Sequence, residues 1–531
     1  MLFGRMTEDV NISLSPKAAH SGGSILRECS RVAGIPQERV SDMKVISRSI
    51  DARKKNIRIN LKVRIATDGE KIEADNKNYE FTPVCDDAPS VIIVGAGPAG
   101  LFAALECIRL GMRPVILERG KDVDSRRVDL ARINKESRAV PESNYCFGEG
   151  GAGAYSDGKL YTRSKKRGDV QRVLQLLHQH GASQDILIDA HPHIGTDKLP
   201  EVIKNIRKTI TGCGGEMNFN SRVDRLIIDG KSVKGAVTSD GKEFTGPVIL
   251  ATGHSARDTY RMLHEQGAEL EPKALAIGVR VEHPQHDIDC IQYHSPEGRG
   301  KYLPAAEYSF VTQQEGRGVY SFCMCPGGFI VPAVSSEGEL VVNGMSPSNR
   351  GTRWANSGIV VEVRPGDFPD FTKYGVFEML EVQQYLEKRF FEAAGETLRA
   401  PAQRLTDFIA GKDSSSLPES SYAPGVSPAR VDKLLPPFIS RRLRQGLAEF
   451  GSKAKGFVTE QAAVIGLESR TSSPVRIPRD KETLKHISLD GLYPAGEGAG
   501  YAGGIVSAAI DGQRCARSVY ESLRKPTSEK E

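Results

Sequence analysis

The hydrophobic pattern changes period along the chain. Over 57–65, "IRINLKVRI", apolar and polar residues alternate without a break. Ile57, Ile59, Leu61, Val63 and Ile65 take one side; Arg58, Asn60, Lys62 and Arg64 take the other. A repeat of two predicts a half-buried strand. The preceding "ILRECSRVAG" reads as a helix closed by Gly34, so residues 1–85 read as a small N-terminal α+β domain. The polar stretch 74–90 reads as a linker. Beyond it, "VIIV" (91–94) is wholly apolar, the pattern of a strand buried on both faces of a parallel sheet. A helix over "AGLFAALECIRLG" and a second strand, "PVILE" (114–118), follow. Residues 198–212 carry helical spacing through Leu199, Val202, Ile203, Ile206 and Ile210. "RVDRLIID" and "VKGAVTS" read as a hairpin and "PVILATG" (247–253) as another strand. Strands are expected around 275–345, helices after 375, and a last helix from about Gly504. The fold class this predicts is α/β. Residues 88–260 and 456–531 form one discontinuous Rossmann-like domain, with 265–455 inserted as a mixed β/α substrate domain.

Composition excludes more than it identifies. The chain has 531 residues, 39% hydrophobic and 26% charged. No apolar run approaches the roughly 18 residues of a membrane span. The nine cysteines are scattered and odd in number, which fits a reducing, cytoplasmic setting rather than a disulfide framework. The opening "MLFGRMTEDV" lacks a charged region followed by an apolar core, so no secretion signal is expected. Net charge is +5, and residues 1–85, with 15 Lys/Arg against 11 Asp/Glu, hold +4 of it.

The segment "VIIVGAGPAG" brings chemistry. It follows a buried strand, opens a helix and has an acid at the end of the next strand. Gly95 permits a tight turn, Gly97 lets backbone approach a pyrophosphate, and Gly100 allows the helix to pack on the strand. Pro98 suits the first helical turn, and Ala99 completes the loop at the positive helix N-terminus where a pyrophosphate would sit. Glu118, 18 residues beyond Gly100, stands near the spacing of a ribose-binding carboxylate. The block "GEGGAGAYSDGKL" places Gly150, Gly151, Ala152 and Gly153 in a nest of backbone donors able to lie along a planar ring. Ser156, Asp157 and Lys159 follow as reactive types, or equally as turn and surface residues.

Three later blocks extend the pattern. "LATGHSAR" (250–257) is similar to the A-T-G segment of two-dinucleotide-fold flavoproteins, and "GLYPAGEGAGYAGGIVSAAIDG" (491–512) resembles their C-terminal flavin motif. "GEGGAGAYSDGKLYTR" (148–163) and "ESRTSSPVRI" (468–477) resemble segments of the uncharacterised FAD-dependent dehydrogenases of the glutathione-reductase-like superfamily, relatives of the geranylgeranyl reductases. The resemblance covers roughly 88–531 and implies FAD as cofactor. It further implies that Gly95, Gly97, Ala99 and Gly100 hold the pyrophosphate, that Glu118 and Arg119 flank the adenosine ribose, and that the Val223 backbone meets the adenine. Thr252 and Gly253 would lie against the cofactor, Gly496 and Glu497 at its ribityl and phosphate end, and Gly504 and Ile505 at the flavin ring. Many relatives carry Asp where this chain has Glu497.

"SFCMCPGGF" (321–329) raises a separate question. On a regular strand, Cys323 and Cys325 share a face. A bond between them would be strained, and zinc would need two further ligands that no nearby pair supplies. The pair reads as pocket wall, with a redox or flavin-adduct role as the competing reading. By analogy with the geranylgeranyl reductases, this segment lines a substrate cavity. His254, next to Thr252 and Gly253, is the third weak catalytic candidate.

The expected function is an FAD-dependent oxidoreductase moving a hydride between flavin and a small organic substrate, with NAD(P)H a candidate donor. No second strand–G-x-G-x-x-G–helix unit with a following acid occurs, so NAD(P)H would lack a standard Rossmann domain of its own. A flavin monooxygenase with one dinucleotide domain competes. So does, from another class, a nucleic-acid-associated flavoprotein using Arg53, Lys54, Lys55, Arg58, Lys62 and Arg64. With no aromatic platform among them, these charges read as a solvated face, and nucleic acid is not an expected partner.

Overall fold

The computed structural model describes residues 7–73, 77–162 and 168–524. The opening six residues, part of the stretch read as a linker (74–76) and Arg163 of the glycine-rich block lie outside them.

At the centre stands a five-stranded parallel sheet in the order Leu492–Pro494, Val248–Leu250, Ser90–Val94, Arg113–Leu117, Glu216–Asn218. Val91, Ile92, Ile93 and Val94 are all buried, because helices and a three-stranded antiparallel sheet (Val223–Asp229, Ser232–Thr238, Glu243–Thr245) cover the two faces. Helix Pro98–Arg109 is buried from Ala99 to Ile108, which accounts for its Ala- and Leu-rich sequence. It is pressed against the last helix, Ile505–Arg524. A Cβ on Gly512 would lie 1.9 Å from the Ala99 carbonyl oxygen, so the two backbones touch and only glycine fits. Glu106, fully buried on the same helix, accepts from Arg109 (2.7 Å), Arg172 (2.5 Å) and Arg517 (2.7 Å), which tie three helices together and hold its carboxyl down at about 2.

The second body is a seven-stranded sheet in the order Val311–Gln314, Arg317–Cys325, Trp354–Val363, Leu275–Pro284, Ala463–Glu468, Ala400–Arg404, Val426–Pro428. Helices Glu378–Ala393 and Pro437–Lys453 pack into its core through Leu386, Phe390, Leu443 and Phe450. The boundary read at 455 is corrected here. Ala463–Glu468 pairs with Leu275–Pro284 and Ala400–Arg404 inside this cap sheet, and the chain returns to the parallel sheet only at Leu492. A wholly buried strand carries no mark of which sheet it joins.

Residues 7–67 form a three-stranded antiparallel sheet (Thr7–Leu14, Arg58–Thr67, Val40–Asp51) under helix Gly22–Ala33. Ser21 caps this helix, and Gly34 ends it at φ 68°. Ile59, Leu61, Val63 and Ile65 face the helix, as the alternation requires. Residues 79–84, read as linker, are instead held on the parallel-sheet body. Tyr79 Oη donates to Gln175 Oε1 (2.7 Å), and the Val84 N–H donates to the Cys213 carbonyl (3.0 Å). Among the described residues no helix is long and apolar enough to cross a membrane.

The two large bodies meet through four buried charges. Arg257 donates to Glu339 (2.8 Å) and Glu387 (2.8 Å), and Arg470 to the same two carboxylates (3.2 and 2.8 Å). Glu387, embraced by both guanidiniums, is held strongly ionised; Glu339 is pushed up by burial and by Glu387 beside it. Glu387→Gln should therefore cost about 3–5 kcal/mol, because it leaves two buried guanidiniums short of a counter-charge. With its carboxyl pulled down, the contribution of Glu387 is present at neutral pH and is lost only in acid, below its unfolded pKa of about 4.3. Thermal melts of wild type and variant at pH 7 check this; equal melting temperatures would contradict it.

Candidate functional site

One cavity of about 410 Å³ runs between the parallel sheet and the cap. Gly95, Gly97, Pro98 and Ala99 line it from the first strand–helix turn, and Gly496, Glu497, Gly504 and Ile505 from the last. Gly97 begins helix Pro98–Arg109 with no side chain capping it, so the positive end of the helix faces the cavity. The glycines divide by role. At Gly95 a Cβ would meet the Ala251 carbonyl at 2.5 Å, and at Gly100 the Gly95 carbonyl at 1.9 Å; Gly100 is a packing residue and does not line the cavity. At Gly97 the nearest protein atom would be 3.9 Å away, and at Gly503 and Gly504 nothing stands within 4 Å. Neither backbone conformation nor protein packing requires glycine at those three positions. The space in front of them fits a ligand lying on bare backbone.

Glu118 is buried, with both carboxylate oxygens engaged. The Ala96 N–H donates to Oε2 (2.8 Å); the Gly120 and Gly148 N–H groups donate to Oε1 (2.8 and 3.0 Å). The acid thus clamps the first strand–helix turn to the glycine-rich block, and among the described residues one lone pair, on Oε2, has no protein donor. Arg119 lines the cavity but is spoken for, paired with Glu142 (2.8 Å) and Asp258 (2.9 Å) and stacked over Phe147 at 4.1 Å. Val223, Thr252 and Gly253 complete this end.

The block at 148–153 is shaped by Arg126, which sequence reasoning missed. This fully buried arginine donates to the carbonyls of Asn144 (2.9 Å), Gly148 (3.3 Å), Glu149 (2.8 Å) and Gly151 (2.8 Å). With those carbonyls drawn inward, Gly151, Ala152 and Gly153 border the cavity. Gly150 does not; its N–H donates to Ala96 (2.8 Å), and a Cβ there would lie 2.4 Å from Ile203. Ser156 is turn chemistry, donating to Gly153 O (2.8 Å) and accepting from the Gly158 N–H (3.0 Å). Asp157 is buried in a two-point pair with Arg350 (2.6 and 3.2 Å). Lys159 crosses to the cap, where Nζ donates to the Met324 carbonyl.

The cap supplies the far wall with Phe322–Cys325, Val331, Ala333 and Asn343. Cys323 and Cys325 are free thiols, but they do not simply alternate along the strand. Pairing with Trp354–Val363 shifts register between Phe322 and Cys325, and Cys323 sits at φ 43°. Cys325 is buried against Arg280, whereas Cys323 is exposed, and that exposure is to the cavity. The weakly hydrated setting pushes the Cys323 thiol up to about 12. His254 lines the cavity with Nε2 3.8 Å from Glu497 Oε2 and no partner on Nδ1. Burial and nearby cations push it down to about 4, so its imidazole is neutral at pH 7, and burial raises Glu497. Arg470 and Cys146 also reach the cavity, with Nη1 of the arginine 3.4 Å from the Cys146 sulfur. In the fold, Glu468 pairs with Arg280 at 2.7 Å and Arg470 joins the interbody charge cluster.

Residues 274–471 match the family described as FAD-dependent protein, C-terminal domain-like. Residues 90–129 match an FAD binding domain, and 6–66 match a domain of unknown function. An uncharacterized protein of Clostridium beijerinckii is 42% identical over 511 residues, covering 92% of this chain and 94% of that one. Among solved structures, a geranylgeranyl bacteriochlorophyll reductase-like protein from Thermoplasma acidophilum is 14% identical, with 82% of this chain and 79% of that chain covered and a TM-score of 0.35. Glycine oxidase from Geobacillus kaustophilus is 13% identical, with 82% and 95% covered and a TM-score of 0.36. The chain belongs to the family of the Clostridium beijerinckii protein and is an FAD-dependent oxidoreductase.

Proposed function

We propose that this oxidoreductase is a dehydrogenase or reductase that moves a hydride between flavin and an organic substrate held against the Phe322–Cys325 wall. The observation that carries the reading is the single cavity bordered at one end by Gly97, Gly503 and Gly504 and at the other by cap side chains. FAD, when bound, would supply the hydride chemistry. The chain's part is to bind and orient. The N-termini of helices Pro98–Arg109 and Ile505–Arg524 would offer positive dipole ends to the pyrophosphate and to the ring, and Glu118 its free lone pair to the adenosine ribose. Gly151–Gly153 would lie along the cofactor, held from beneath by Arg126, and Glu497 and His254 would meet the ribityl chain. The apolar wall of Phe322, Val331 and Ala333 would exclude water from the substrate end. NAD(P)H is the proposed reductant, visiting without a Rossmann domain of its own.

The purified protein should be yellow and release FAD rather than FMN, since FMN lacks the pyrophosphate and ribose that the Gly97 and Glu118 end would hold. Gly97→Val should abolish cofactor retention while leaving the fold intact, because the new side chain enters cavity space and not protein. Flavin content and circular dichroism check both points. Anaerobic titration with NADH and NADPH should bleach the flavin absorbance with one of them; bleaching by neither overturns the choice of donor.

Cys323 and Cys325 act as wall. A thiol raised to about 12 stays protonated at neutral pH, so alkylation of Cys323 by iodoacetamide should be slow at pH 7 and accelerate only as pH climbs toward that value. The double variant Cys323→Ser, Cys325→Ser should keep its flavin and change turnover by only a few-fold. A reductive titration taking up two electrons beyond those of the flavin would reverse this assignment.

A further inference from the structure

The cap end of the cavity contains two groups, each with an N–H that the protein positions but does not take up among the described residues. The first is the side-chain amide of Asn343, on strand Val342–Met345. Its Oδ1 accepts from Arg280 Nη2 (2.9 Å) and from the Gly344 N–H (2.7 Å). A guanidinium can only donate, so the oxygen must face Arg280 and the NH2 group must face away. Among the described residues, no protein acceptor takes that NH2. Arg280 cannot move to change this. It is fully buried, with Nε on Glu468 (2.7 Å) and Nη1 on Asn356 Oδ1 (2.6 Å), and a Cβ on Gly344 would lie 2.1 Å from its Nη1.

The second donor is Lys159. One N–H of its ammonium goes to the Met324 carbonyl. A second turns toward Glu307, 3.6 Å away, whose other oxygen is bound to His191 Nδ1 at 2.5 Å. Among the described residues nothing accepts the third N–H. The neighbouring cations are more fully engaged: Arg280 by Glu468, Arg350 by Asp157 at two points, and Arg470 by Glu339 and Glu387. Lys159 and the arginine that orients Asn343 reach the same short turn. Lys159 holds the Met324 carbonyl, and Arg280, which orients Asn343, donates to the Cys323 carbonyl at 3.3 Å. The wall around them is apolar, with Phe322, Val331 and Ala333.

We propose that Lys159 Nζ and the Asn343 amide form a carboxylate subsite, so that the substrate class of this cavity is a small carboxylic acid with an apolar remainder. An ammonium and a fixed amide give one donor to each oxygen, and a charge-assisted bond in a site walled from water is stronger than a neutral one. The proposal rests on the reading of this cavity as the substrate site.

Benzoate and benzamide, which share an apolar ring, are the probes. Each is titrated into the FAD-loaded protein and followed by visible flavin absorbance, with isothermal titration calorimetry in parallel. Benzoate should bind saturably and at least about tenfold more tightly than benzamide, a difference of about 1.4 kcal/mol. Lys159→Met should lose about tenfold or more in benzoate affinity, and Lys159→Arg should restore most of it. Asn343→Asp keeps the oxygen that Arg280 requires but replaces the donors with a second oxygen, and should also lose tenfold or more. Flavin content and melting temperature should stay at wild-type values in all three. Equal affinity for benzoate and benzamide, no benzoate binding, or unchanged benzoate affinity in both Lys159→Met and Asn343→Asp overturns the subsite. Failure of the functional reading has a different signature, a flavin bleached by neither NADH nor NADPH, and the benzoate titrations still report on the carboxylate in that case.

Discussion

Two arginines and two glutamates, buried where the cap meets the parallel sheet, fix the geometry on which everything else depends. Arg257 belongs to the helix that follows the strand ending at Leu250, Glu387 to a cap helix, and Arg470 to the segment that carries the chain back from the cap. Because all four are desolvated, the arrangement tolerates little displacement: a shift that lengthens one ion pair leaves a charge uncompensated in a medium that solvates it poorly. The cavity is the gap between the bodies so joined. Its width is therefore set by a charge lattice, while the apolar cores on either side provide rigidity without specifying distance.

The same device recurs on a smaller scale. Glycine-rich turns have little to hold them, yet two of those around this cavity are organised from beneath by a buried arginine. Arg126 gathers four carbonyls from 144–151, and Arg280 takes the Cys323 carbonyl together with two asparagine oxygens. A guanidinium suits this role because its donors radiate in one plane and its charge cannot be lost near neutral pH. The loops present bare backbone to the cavity, and their conformation is stored in side chains that never reach it.

The sequence made the architecture legible where local rules dominate. Alternation at 57–65, the apolar run at 91–94 and the helical spacing at 198–212 each correspond to an element of the expected type, because period alone decides which face is buried. The glycine runs at 95–97, 148–153 and 496–504 border one cavity, and their density was visible from the outset. Long-range choices were not legible. Helix Val123–Glu136 is polar enough to look like a surface helix, and nothing local reveals that Arg126 turns inward. Cys323 was read as part of a regular strand, but a register shift set by the neighbouring strand places it at positive φ. Arg280 and Asn343 lie 63 residues apart and gain meaning only when the cap sheet brings them together.

The position of Gly512 bears on how the protein is made. Helix Pro98–Arg109 is built to lie against Ile505–Arg524 at backbone contact, and the parallel sheet is closed on one edge by Leu492–Pro494. At a translation rate of about 5–20 residues per second, the first of these helices leaves the ribosome about 20–80 seconds before its partner. Over that interval the side of the helix that meets Ile505–Arg524 has no native cover, and Val248–Leu250, paired with Ser90–Val94 on one edge, waits for Leu492–Pro494 on the other. Assembly of the parallel-sheet body is thus a terminal event: the cap sheet is complete once Ala463–Glu468 is made, and the parallel sheet only after it, at Leu492–Pro494.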